Sequence, residues 1–203
     1  MLQRFWAWWT GRVSAPAALS STTDARKVAI VIGHNKDQPG AVRTSDGVSE
    51  YVWNSRLADL IVAQAPTRYV VIRRTKGAGE ISRAYDAVDA SGAVASVELH
   101  FNAAASTAAT GTETLSSGST RSLRLANLMQ AEMVAALGLK DRGVKVPGGK
   151  DRGYGSLHFG KPPAILIEPY FGSSAFDCLR ADQQFAALAA AIHRACMAYL
   201  KEV

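Results

Sequence analysis

The sequence is short of cysteine. Its 203 residues include two, Cys178 and Cys196, and no CxxC pair. Two thiols build no disulfide framework, and a cysteine-based zinc site is excluded. Were one helix to carry both, about 18 positions at ~1.5 Å rise would part them by ~27 Å, far beyond bridging distance. Both are therefore read as core fillers. Long apolar runs are missing too: no stretch reaches the ~20 residues of a membrane span. Near the N-terminus, Phe5–Trp9 is apolar, but Arg12 interrupts its continuation. That run falls short of the ~7–15 residues of a signal-peptide core, so no cleaved signal is expected. Nor is there a run of Lys and Arg, although the formal net charge is +6. A basic excess favours anionic partners, and its scattered placement argues against nucleic acid. No G-x-G-x-x-G or P-loop follows a strand-like run, which sets aside a nucleotide-binding domain.

What remains is ordinary globular material, 48% hydrophobic and 20% charged, enough for one sizeable core. Residues 1–13 form a Trp-rich arm containing "QRFWAWW". Residues 14–26 are rich in Ser, Thr, Ala and Pro without periodicity and read as a linker. Residues 27–203 read as one catalytic domain. Val28–Gly33, Tyr69–Arg73, Val94–Leu99 and Ala164–Ile167 are short, β-branched-rich runs, hence strands. "GTETLSS" (Gly111–Ser117) adds a candidate strand. Helical patterns cover Gly47–Gln64, Glu80–Ala90, Thr120–Leu137 and Asp182–Leu200. The alternation predicts an α/β fold, a mostly parallel twisted sheet flanked by helices on both faces. Asp141–Ser156, glycine-rich and polar, reads as a functional loop.

Ionisable residues recur at one place on several strands. Val28–Gly33 runs into His34, Val94–Leu99 into His100, and Ala164–Ile167 into Glu168. In open α/β sheets the ligand crevice lies outside the carboxyl ends of the strands, so these three gather on one rim. The helix after His34, with Ser45 and Asp46 as cap candidates, carries an inward stripe of Trp53, Leu57, Leu60 and Ile61. Glu50 falls on that stripe, at the end nearest the rim. An inward carboxylate is costly unless paired or bound to metal. Two imidazoles and a carboxylate make a three-ligand zinc site with an open fourth position. Zinc lowers the pKa of its bound water from 15.7 to about 7, which leaves Glu168 free as general acid/base. Taken singly, His34 suits a turn, His100 a bonded core histidine, Glu50 a helix start and Glu168 an ion pair; the joint placement argues for the metal. His193 reads as a half-exposed surface residue, and His158 as lying away from the site.

The motifs "IVIGHNKDQPGA", "SEYVWN", "VELHFNAA", "GTETL", "DRGVK" and "PAILIEPYFGS", in that order, resemble the zinc-dependent N-acetylmuramoyl-L-alanine amidases of bacterial autolysins and phage endolysins. The resemblance spans about Lys27 to Leu200. It implies one Zn2+ ion on His34, Glu50 and His100, a catalytic Glu168, and hydrolysis of the amide between muramic acid and L-alanine in peptidoglycan. Asn35 and Lys36 stand where that family has small residues, and Pro169 and Tyr170 depart from its pattern after the glutamate, with consequences expected for strand exit and substrate seating. Asn102 and Glu113 are candidates to support the ligands, Asn102 also to meet substrate, and Arg142 to hold a substrate carboxylate. A zinc carboxypeptidase-like or other small-amide hydrolase and a non-catalytic wall-binding protein are the alternatives. The expected setting is a monomeric endolysin made in a host cytoplasm and acting on the wall, or else an exported envelope enzyme. The Trp-rich arm is expected to contact an anionic envelope or membrane.

Overall fold

The computed structural model describes residues 26–203; the arm and all of the linker but Arg26 lie outside the described residues. Six strands form one sheet: β1 (Val28–Ile32), β2 (Tyr69–Arg73), β3 (Ala95–Leu99), β4 (Thr112–Ser116), β5 (Asp141–Lys145) and β6 (Ala164–Glu168). Their spatial order is β2-β1-β3-β6-β4-β5. β2, β1, β3 and β6 run parallel. β4 pairs antiparallel with β6, and β5 runs parallel to β4. The expected mostly parallel sheet is present, with the last pair reversed.

β1 shows why the central strands read as unbroken apolar runs: both of its faces are covered. Val28, Ile30 and Ile32 enter the larger core with α1 (Glu50–Ala63), α3 (Thr120–Leu137), α5 (Ala175–Gln183) and α6 (Phe185–Leu200). Ala29 and Val31 alternate to the other face, against Tyr85 and Val88 of α2 (Glu80–Ala90). The short α4 (Tyr154–His158) packs beside α2 on that face. In α1, Trp53, Leu57 and Ile61 make the buried stripe, each aliphatic contributing about 1.5–3 kcal/mol by leaving water. Among the described residues no helix is long and apolar enough to cross a membrane.

The structure corrects several details. α1 starts at Glu50, capped by Ser49, whose side chain accepts from the Val52 amide. Ser45 and Asp46 do not cap it; Asp46 instead accepts from the Val48 amide in the preceding turn. Leu60 is exposed rather than inward. The single helix expected over Asp182–Leu200 is two, breaking at Gln184. Cys178 and Cys196 therefore sit on different helices, both buried and free of any disulfide. The segment read as one loop begins as edge strand β5 and ends in α4. His193, by contrast, is half-exposed as expected, its Nδ1 2.8 Å from the Tyr69 hydroxyl.

Candidate active site

The carboxyl ends of β1, β3 and β6 deliver His34, His100 and Glu168 to one rim, as their positions in the sequence imply. α1 turns back along the sheet, so its first residue, Glu50, reaches the same place. Ligand-capable atoms of His34, Glu50 and His100 all lie within 4.8 Å of one another. Glu50 Oε1 is 2.6 Å from His100 Nδ1, and Glu50 Oε2 is 3.2 Å from His34 Nε2. The same carboxylate accepts from the Phe101 and Ala41 amides. Burial alone would push Glu50 up; the bonds from His100 and His34 outweigh it and bring its pKa down to about 2. Burial opposes the charged form of His100, but Glu50 and Glu98 outweigh it and raise its pKa to about 10.

The backbone at His34 is left-handed, with φ 65°, alone among the described non-glycine residues. Such a conformation costs of order 1–3 kcal/mol and persists only where its surroundings impose it. Here Gly33 bonds across to the Leu99 carbonyl. Asn35 closes the next turn, its side chain accepting from the Asp37 and Gln38 amides. This is the use of the asparagine that departs from the family pattern. Gly40, at φ 81°, passes so near that a Cβ would lie 2.5 Å from His34 Cδ2.

His34, Gly40, Glu50 and His100 line a cleft of about 790 Å³, together with Asn102, Glu113, Lys145, Arg152 and Glu168. Glu168 is half-buried in its wall, and its Oε2 is buried without a hydrogen-bond partner. Burial raises its pKa to about 8, with His100 opposing and Glu50 and Glu113 reinforcing. Glu113 reaches this rim because β4 is reversed: it pairs directly opposite Glu168. Its carboxylate accepts from Asn102 Nδ2 at 3.0 Å and Arg142 Nε at 2.6 Å. Glu113 thus bonds with Asn102 and Arg142, not with the His–Glu–His group. Arg142 lies over the Phe171 ring, 4.9 Å from its centroid, beside the cleft. Arg152, exposed and close enough to influence Glu168, lines it, as does Arg74.

Tyr170 is corrected as a substrate-seating residue: it is fully buried, its ring 4.8 Å from Trp53 and 5.1 Å from Phe101. Pro169 offers its carbonyl to Thr112 Oγ1. His158 is exposed, outside the cleft lining, its Nδ1 2.9 Å from the Tyr154 carbonyl oxygen. Sequence reasoning missed Glu98, which is wholly buried with Oε1 2.7 Å from His100 Nε2. Its signal was present: an acidic residue two positions before His100 on a strand shares the histidine's face.

Residues 28–197 match the family model described as N-acetylmuramoyl-L-alanine amidase. No curated protein matches the chain. Among solved structures, the chain resembles the catalytic domain of CwlV, an N-acetylmuramoyl-L-alanine amidase from Bacillus (Paenibacillus) polymyxa var. colistinus. The identity is 25% and the TM-score 0.74, over 86% of this chain and 98% of that one. It also resembles an N-acetylmuramoyl-L-alanine amidase from Clostridium difficile 630, at 22% identity and TM-score 0.75, over 87% of this chain and 98% of that one. A third likeness is to the catalytic domain of the CD27L endolysin targeting Clostridia difficile. There the identity is 24% and the TM-score 0.71, over 85% and 97% of the two chains.

Proposed function

We propose, from the premise that the chain belongs to the N-acetylmuramoyl-L-alanine amidase family, that its hydrolysis of peptidoglycan runs on one zinc ion held by His34, Glu50 and His100, with Glu168 as the catalytic acid and base. The observation that carries this is the convergence of the three donor groups within 4.8 Å beside an unpartnered carboxylate oxygen of Glu168. Two imidazoles and a carboxylate are a donor set suited to catalytic zinc. Bound there, zinc supplies Lewis acidity to the scissile carbonyl and makes a water acidic enough to attack near neutral pH. Glu168 takes the proton released as water attacks the muramoyl carbonyl, then hands it to the departing alanine nitrogen. A carboxyl whose pKa is raised to about 8 can both hold and release a proton near neutrality.

Glu113, steadied by Asn102 and Arg142, fixes the wall opposite Glu168. Asn102, which lines the cleft, meets substrate. Arg142 is engaged with Glu113, so the exposed Arg152 takes the role of meeting a stem-peptide carboxylate. The action is on the cell wall, outside the cytoplasm. Its finer setting, an endolysin made in a host cytoplasm and acting as a monomer, is our reading of a basic catalytic domain with a Trp-rich arm. We assign residues 1–13 to contact with an anionic envelope, 14–26 to a linker and 27–203 to catalysis.

The test is digestion of purified peptidoglycan by the zinc-loaded protein. Free stems bearing a new L-alanine amine, on intact glycan strands, are expected. New reducing sugar ends without new amines would refute the reading. His34→Ala and His100→Ala should lose zinc and activity together; near-stoichiometric zinc in both would refute the ligand assignment.

A further inference from the structure

We infer that Glu98 is a positioning residue for this centre: it holds the Nε2–H of His100 and so makes Nδ1 the nitrogen offered to the metal. The inference rests on the zinc reading above.

Glu98 and His100 are two apart on and just beyond β3, so their side chains leave the sheet on the same side. Glu98 Oε1 lies 2.7 Å from His100 Nε2. The other edge of the ring faces the cleft, with Nδ1 2.6 Å from Glu50 Oε1. A Cβ added to Gly33, just past β1, would meet Nε2 at 2.4 Å, so the backbone there closes off that edge beside Glu98. An imidazole pinned this way donates from Nε2 and presents a lone pair at Nδ1. An outer carboxylate that fixes a ligand's tautomer and ring angle is a recognised means of raising metal affinity.

Glu98 is itself held rigidly. Oε2 accepts from the Tyr85 hydroxyl at 2.7 Å. The Arg74 guanidinium, just past β2, pairs with Oε1 and also donates to Ser156 Oγ at 2.9 Å. Arg74 Nη1 lies 3.7 Å from Glu80, which in turn accepts from Asn35 in the turn after His34. The chain of contacts therefore links both histidine loops. A wholly buried carboxylate is expensive, and apolar residues commonly replace a buried ion pair without loss of stability. Packing alone does not call for a charge here; a histidine that must present one particular nitrogen does.

The direct test is long-range proton–nitrogen NMR on the zinc-loaded wild-type protein, with His100 assigned by comparison with His100→Asn. A protonated Nε2 and a metal-bound Nδ1 are expected; zinc bound with Nδ1 protonated would overturn the inference and leave the zinc reading standing. A wild-type protein that takes up no zinc would overturn both. Two paired substitutions, each removing both buried charges, give a second readout by chelator competition. Glu98→Leu with Arg74→Met leaves His100 no acceptor and should weaken zinc binding about 10–100-fold. Glu98→Gln with Arg74→Gln keeps an acceptor and should recover part of that loss. Wild-type affinity in a folded Leu/Met pair would overturn the inference; if that pair does not fold, the wild-type spectrum decides.

Discussion

Replacing Glu168 with Gln should stabilise the metal-free protein at alkaline pH while greatly slowing catalysis. Glu168 has a pKa raised from 4.5 to about 8, chiefly by burial. Between those values the folded protein keeps a proton that the unfolded chain releases, so the carboxyl's contribution to stability falls as pH rises through the window. Gln has no such slope. Full conversion at ~1.36 kcal/mol per pH unit gives an upper bound of about 5 kcal/mol. The side chain is only half-buried in the cleft wall, so water offsets much of this, and we expect about 2 kcal/mol. For a domain of this size that is a rise of about 4–8 °C in Tm. The assay is urea unfolding of both chelator-treated proteins at about pH 5 and about pH 8.5. The curves should nearly coincide at the lower pH and separate at the higher, with Glu168→Gln the more stable. Equal differences at both values, or a less stable variant at the higher, would refute the argument. In the zinc-loaded state the same variant should keep its metal and lose about 10²–10⁴-fold in rate.

The remaining predictions probe the frame around the site. Gly33→Ala places a Cβ 2.4 Å from His100 Nε2 and 2.6 Å from the Leu99 carbonyl oxygen; it should cost about 1–3 kcal/mol by overpacking and weaken zinc uptake, both measurable by melting and chelator competition. Asp177, fully buried, accepts from the Gly111 and Phe171 amides and the Thr110 hydroxyl; Asp177→Asn keeps an oxygen for the two amides but loses the charge that strengthens all three bonds, and should lower stability by about 1–3 kcal/mol in urea titration. Arg152→Gln should raise KM roughly tenfold with little change in kcat, the worth of one charged contact; an unchanged KM on stem-bearing muropeptides would remove Arg152 from substrate recognition. Deleting residues 1–20 should leave Tm and activity on soluble muropeptides unchanged but weaken binding to anionic vesicles, and that binding should fall with salt; a large drop in Tm would mean the arm packs on the domain.

The rim was legible because β1, β3 and β6 are short apolar runs that each stop at an ionisable residue, and parallel strands place such stops together. β4's direction was not legible, since nothing within Thr112–Ser116 fixes it; it follows from antiparallel pairing with β6, 48 or more residues later in the chain. β5 carries Asp141, Gly143 and Lys145, a composition that reads as loop and suits an edge strand guarded against further pairing. The break at Gln184 has neither Gly nor Pro to announce it. Glu98 was hidden inside a strand whose other members are apolar or small, where charge is not looked for. Arg142 carried a motif and was given a substrate; the fold gives it Glu113 instead, a choice that only the packing of β5 beside β4 makes visible.

The strand that carries Glu168 is the last to be synthesised and lies near the middle of the sheet, between β3 and β4. Until β6 emerges, the nascent chain has two further bare strand edges, on β3 and β4, and no means of joining its first half to β4 and β5. Such edges recruit other strands. A chain interrupted before Ala164 would therefore be a prey for aggregation and proteolysis as well as an inert hydrolase. The same order of events makes the final segment a natural split point: a fragment lacking it should regain a complete sheet only when the missing piece is added back.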